Sequence, residues 1–204
     1  FSTIGRKQIM AAGGLALCLF VLMHALGNML IFVSAEAYNK YSHALISNPL
    51  IYIAEAGLLA MFLSHAFVGI VLSIKNAKSR EEGYARRASG VKKTTITSQT
   101  MWLQGLVILA FTIFHLVTFK YGPSYEVTYG GVLMRDIFKL VAETFQSPIY
   151  VVGYLAVMLI LCFHLSHGFY SALQTLGLNH PRYMPKFKIA SILYGIIISF
   201  AFIS

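Results

Sequence analysis

Seven histidines occur in this 204-residue chain, and four of them, His24, His65, His115 and His164, fall inside apolar stretches of membrane-crossing length. An ionisable side chain in hydrocarbon is costly and marks a functional position by default. The spacing sharpens that default. Counted from the end of each span predicted to face the cytoplasm, His24 lies 15 residues in and His115 lies 16, whereas His65 and His164 each lie 9 in. At about 1.5 Å of rise per residue, one pair sits roughly 22–24 Å deep and the other roughly 13–14 Å deep. Two imidazoles facing each other at one depth make an axial ligand pair for a haem iron. Two such levels make an electron path across a bilayer. No Cys-x-x-Cys-His occurs, which points to non-covalent b-type haems.

Each of the four has a glycine on its own span: Gly27 after His24, Gly69 after His65, Gly168 after His164, and Gly105 before His115. A flat macrocycle wedged between helices needs faces without bulk, although helix packing is the ordinary use of a membrane glycine. One intramembrane histidine alone reads equally well as a hydrogen-bonded core residue. Four, one on each of four spans and level in pairs, do not. His167 follows His164 by three residues on nearly the same face, and is either an alternative ligand or a partner for a propionate or a backbone carbonyl. His43 and His180 are predicted in loops. Zinc is disfavoured, because no His-Glu-x-x-His or clustered Cys/His spacing is present. Cys18 and Cys162 lie within spans and read as small buried apolar residues.

The elements that must position these residues follow from composition. The chain is 57% hydrophobic and 11% charged, with a mean hydropathy of +0.70, which excludes a soluble domain and indicates a polytopic membrane protein. A single all-α membrane domain is expected over 1–204, with five transmembrane helices at about 9–33, 50–74, 99–119, 149–173 and 187–203. The first is too long and glycine-rich for a cleaved signal peptide. The net charge of +9 is distributed as in a membrane protein rather than a nucleic-acid binder. With the N-terminus placed in the cytoplasm, the inner segments hold 12 of the 16 Lys and Arg residues and net +10, against −1 outside. That bias orients the chain N-in. The inner loop 75–98 carries Lys78, Arg80, Arg86, Arg87, Lys92 and Lys93, as a solvated basic loop or as a docking surface. The outer connection 120–148 is long for a helix–helix loop. Within it, Val132, Leu133, Ile137, Leu140, Val141 and Phe145 recur at helical spacing and predict an amphipathic surface helix over about 132–146. The other outer stretch, 34–48, is polar and tyrosine-bearing.

Taken as a set, these residues resemble the cytochrome b subunit of succinate:quinone oxidoreductases, the five-helix, two-haem type of bacterial succinate dehydrogenases and fumarate reductases. The resemblance covers nearly the whole chain. It rests on His24, on His65-Ala-Phe-Val-Gly69, on Ser98-Gln-Thr-Met101 with Gly105 ten residues before His115, and on His164-Leu-Ser-His-Gly168-Phe-Tyr170. It implies that His24 and His115 hold the distal haem iron and His65 and His164 the proximal one, in agreement with the depth pairing. It also implies a flavoprotein and an iron–sulfur subunit on the cytoplasmic face of a bacterial inner membrane. Electrons would pass in either direction between them and a membrane quinone (menaquinone or ubiquinone) near the outer side. No dicarboxylate chemistry is expected in this chain.

One departure bears on proton transfer. Some fumarate reductases of this type carry a glutamate two residues before the helix-four ligand. Here that position is Cys162, so that pathway is not carried over. For the outer quinone-site carboxylate the candidates are Glu36 and Glu55, the better being Glu55 near the outer end of the second span, and Tyr38 and His43 are lesser candidates for the quinone site. A solvent-exposed interface residue is the competing reading of Glu55. Two other functions compete with the whole resemblance. A cytochrome b anchor of the nitrate reductase or formate dehydrogenase type places two haem ligands on single helices, unlike this chain. A non-haem transporter or assembly protein would use its histidines as proton relays or metal ligands.

Overall fold

Lipid offers backbone groups no hydrogen-bond partner, so each span must satisfy its own N–H and C=O groups. The computed structural model obeys that constraint, and 82% of its described residues are helical. It describes residues 3–78 and 96–204. Helix α1 (Thr3–Asn28) ends in a 3₁₀ turn (Met29–Phe32) and leads to α2 (Ala35–Ile46) and α3 (Leu50–Lys78). Helix α4 (Ile96–His115) continues as a π-helical turn (Leu116–Lys120), followed by strands β1 (Glu126–Tyr129) and β2 (Val132–Arg135). Then come α5 (Ile137–Thr144), α6 (Pro148–Thr175) and α7 (Met184–Ile203). Among the described residues five helices, α1, α3, α4, α6 and α7, are long and apolar enough to cross a membrane. The side chain of Lys78 and residues Arg80, Arg86, Arg87, Lys92 and Lys93 of the basic loop lie outside the described residues.

Four of the long helices close a ring. Helix α1 packs on α3, α3 on α4, α4 on α6, and α6 back on α1. In this arrangement α1 faces α4 across one diagonal and α3 faces α6 across the other. Helix α7 stands outside the ring against α6 and α1. Within a membrane, helices associate through close packing of small residues rather than through a hydrophobic driving force. Helix α7 does this with Ser191, Gly195 and Ser199, spaced by four along one face and all buried. A Cβ at Gly195 would lie 2.6 Å from the Cys162 carbonyl oxygen and collide with Ser166. Beside that seam the Tyr194 hydroxyl donates to the Cys18 carbonyl, 2.6 Å away. Cys18, Ala25, Leu165 and Ile198 form the buried cluster that joins α1, α6 and α7. Both cysteines are free.

The end of the bundle that carries α2 and α5 departs from the expected surface helix over 132–146. Only Ile137–Thr144 is helical there, and Val132–Arg135 pairs antiparallel with β1, Tyr129 opposite Val132. Gly130 and Gly131 link the strands with φ of 59° and 80°. Positive φ at both central residues is what a two-residue type I′ turn demands and what glycine supplies. The glycine pair therefore overrides the helical spacing of Val132 and Leu133. The stretch 34–48, expected to be loop, is mostly α2. Ser34 caps it, its Oγ accepting from the Ala37 N–H at 3.0 Å.

A buried amide latches this end together. Asn39 on α2 is fully buried; it donates to Asp136 Oδ1 at 2.8 Å and accepts from the Phe138 N–H at 3.0 Å. Asp136 in turn caps α5 by accepting from the Lys139 N–H.

Replacing Gly195 with valine puts a side chain where backbone and Ser166 already are. The expected outcome is a loss of about 1–3 kcal/mol, measured as a lower thermal midpoint in detergent. Gly13→Ala, where nothing lies within 4 Å, serves as the control and leaves that midpoint close to the parent's.

Candidate functional site

The four membrane histidines occupy both diagonals of the ring. His24 on α1 and His115 on α4 face each other near the hairpin end, ring centroids 5.9 Å apart and planes at 88°. His65 on α3 and His164 on α6 lie on the other diagonal, with His164 within electrostatic reach of both His65 and His167. On the α1–α4 diagonal this placement brings two side chains from non-adjacent helices into ring contact.

Around the first pair the walls are aromatic. Phe20 stacks on His24 at 5.6 Å, and Phe202 of α7 lies 5.8 Å from it. Phe111 and Phe119, four residues either side of His115 on its own helix, lie 5.8 and 5.2 Å from its ring. Polar contacts come from two residues that sequence reasoning missed. Tyr154 places its hydroxyl 3.3 Å from His115 Nδ1. Asn28, one turn after His24, donates to the His24 carbonyl at 2.8 Å and lies 3.4 Å from its Nε2. The phenol of Tyr38 donates to Asn28 Oδ1 at 2.8 Å. Burial pushes that phenol up to about 12, which keeps it a donor. The i, i+4 spacing of Asn28 from His24 is a readable signal, whereas Tyr154 lies on a helix unrelated in sequence to His115.

The second pair sits against glycine. His65 Nδ1 lies 3.2 Å from the Met10 carbonyl oxygen. Helix geometry places Gly14 one turn beyond Met10, and a Cβ at Gly14 would sit only 3.1 Å from His65 Cε1. The bare glycine is what lets the imidazole reach the α1 backbone. On the opposite side a Cβ at Gly105 would lie 3.8 Å from His164 Cε1. Nδ1 of His164 is buried without a protein hydrogen-bond partner.

The other expected glycines have different neighbours. Gly27 faces α2, where a Cβ would lie 2.7 Å from Tyr41 Cε1. Gly168 faces Met101 at 3.9 Å, and Gly69 has nothing within 4 Å. His167 is half-buried one turn beyond His164 on α6.

The candidates for the hairpin end are dispersed. Glu55, at the start of α3, forms an ion pair with Lys120, side chains 43% and 38% exposed, so solvent screens the pair and its contribution to stability is small. Glu36 is exposed and pairs with Lys40 at 2.6 Å. His43 lies on α2 rather than in a loop, its Nε2 3.2 Å from Ser47 Oγ. A separate groove of about 440 Å³ opens between the end of α4, α5 and the start of α6, with Phe114, Tyr125, Glu143 and Tyr150 among its walls.

Among the described residues no three His, Cys, Asp or Glu side chains gather as metal donors. The donor set on each diagonal is two imidazoles, too few for a structural zinc. It is the number a haem takes axially.

At the rim of the groove Glu143 accepts a hydrogen bond from Tyr125 and raises that phenol above its ordinary value. A raised value means the folded chain holds the proton more tightly. The interaction is therefore present below the ordinary phenol range, about 10, and is lost as pH rises through the folded value. Glu143→Gln is expected to bring the Tyr125 titration down, read as phenolate absorbance against a Tyr125→Phe blank. No protein-family model matches the chain, and neither a curated protein nor a solved structure matches it.

Proposed function

We propose that this chain is the membrane-anchoring cytochrome b subunit of a succinate dehydrogenase or fumarate reductase, with His24 and His115 ligating one haem and His65 and His164 another. The observation that carries the reading is the apposition of His24 and His115 across a ring diagonal, inside aromatic walls and away from water. One proposed ligand on each of four helices also favours it over anchors that place two ligands on one helix. A bound haem supplies a one-electron iron couple at each level. The chain's own residues hold that couple between paired imidazoles, exclude water with Phe20, Phe111, Phe119 and Phe202, and leave a bare backbone at Gly14 beside His65. In this reading the basic-loop end faces the cytoplasm and an iron–sulfur and a flavoprotein subunit. The hairpin end faces outward, where a membrane quinone exchanges electrons with the His24–His115 level.

Pyridine haemochrome absorbance of the purified chain is expected to give about two b haems. Alanine at His24 or His115 removes or loosens one spectral component, and alanine at His65 or His164 the other. Loss of the same component from His24→Ala and His65→Ala would break the pairing, and absence of any haem would end the reading.

The proposed quinone chemistry consumes or releases protons at the outward end, and Glu55 is the carboxylate best placed to relay them. Proton transfer by a positioned side chain is worth roughly 10²–10⁴-fold in rate. Glu55→Gln is expected to lower succinate-driven quinone turnover of the assembled complex by about 10²-fold. Haem content and reduction of a soluble dye stay at parental levels. Unchanged quinone turnover would move the site, with Glu36 next.

A further inference from the structure

We infer that Tyr154 is a positioning residue for the His24–His115 pair: its phenol oxygen accepts the Nδ1–H of His115 and so fixes the imidazole tautomer with a free lone pair on Nε2. The inference rests on the haem reading above for the direction of that bond, while the contact between the two residues stands on its own geometry.

A neutral imidazole has one nitrogen with a proton and one with a lone pair, and the hydrogen bond made by one nitrogen decides the role of the other. The second diagonal supplies the comparison within the same molecule. There His65 Nδ1 meets the Met10 carbonyl. A carbonyl can only accept, so that bond requires a proton on Nδ1. His115 uses the same ring atom, and its partner is a hydroxyl 3.3 Å away that could donate or accept. Ligation through the remaining nitrogen requires that it accept.

The hydroxyl has little freedom to choose another place. Phe111 and Phe145 meet the Tyr154 ring edge-on at 4.8 and 4.9 Å, and Phe119 does so at 6.2 Å. Phe111 and Phe119 contact His115 as well, so one aromatic box sets the orientation of both rings. At 3.3 Å the bond is long for its kind. Its main effect is therefore to orient His115, with a smaller increase in basicity at the ligating nitrogen.

Tyr154→Phe removes the oxygen and leaves the aromatic box. The test uses the full chain in lipid nanodiscs with ¹⁵N-labelled histidine, the His115 signal being the one lost in His115→Gln. In the parent, Nδ1 is expected to be the protonated nitrogen of His115, and in Tyr154→Phe that preference is lost. Phe111→Leu, which loosens the box but keeps the hydroxyl, is expected to lower thermal stability while leaving the tautomer unchanged. In haem-loaded protein, Tyr154→Phe shifts the midpoint potential of one component upward, the one sensitive to His24→Ala, and leaves the other in place. An unchanged His115 signal in Tyr154→Phe overturns the inference, as does an equal change in Phe111→Leu or an equal shift of both haem components. If no haem binds, the functional reading falls while the nitrogen signals still decide the role of Tyr154.

Discussion

The arrangement of the four membrane histidines depends on a packing constraint: the helices that carry them pack extensively along the sides of a closed ring. Close contact along the sides is ordinary membrane packing. Across the α1–α4 diagonal the His24 and His115 rings meet. On the other diagonal His65 rests on the Met10 carbonyl of the adjacent helix α1. The ring could not be held by these polar centres alone. Helix α7 carries none of the four histidines and fixes α1 and α6 through the Ser191, Gly195 and Ser199 seam and the Tyr194 bond to Cys18. Its small residues are as necessary to the arrangement as the histidines they help to place.

The two levels are not equivalent in how they are held. Near the hairpin end the histidines are surrounded by phenylalanine and touched by side-chain groups, Asn28 and Tyr154. A polar thread runs from α2 through Tyr38 and Asn28 to the His24 turn. At the other level the supports are main chain and glycine, the Met10 carbonyl and Gly14 beside His65. Substitution can retune the first level at several positions. The second is built from groups that mutation cannot exchange one atom at a time.

The long spans are legible in the sequence because they rest on apolar patterns sustained over many residues, and equal counts along two spans anticipate the meeting of His24 and His115. The hairpin is not, because Val132 and Leu133 fit a helical spacing by accident and mask Gly130-Gly131, a strong turn signal. Helix α2 is hidden by its polarity: only Tyr38 and Asn39 on it are buried, too few to make an apolar stripe. Gly27 and Gly14 show a subtler limit. Both are intramembrane glycines near the first histidine in sequence, yet Gly27 receives Tyr41 of the cap and Gly14 receives His65 of a different helix. Sequence proximity to a histidine does not say which neighbour a bare backbone serves. Tyr154, thirty-nine positions from His115, carries no local signal, since ring closure alone brings it there.

The π-helical turn that follows His115 has its own consequence. An α-helix advances each residue by about 100° around its axis, so the direction in which a chain leaves a span is normally locked to the direction in which its side chains point. The wider turn, closed by the Tyr121 N–H on the Leu116 carbonyl, takes in one extra residue and breaks that lock. Phe119 still lies against His115 while Lys120 reaches Glu55, and Arg135 of the hairpin donates to the carbonyls of Lys120 and Pro123 beyond it. The turn works as a phase adjuster between two parts of the chain with different tolerances. Loop lengths and cap orientation can drift on one side of it without rotating the imidazole on the other.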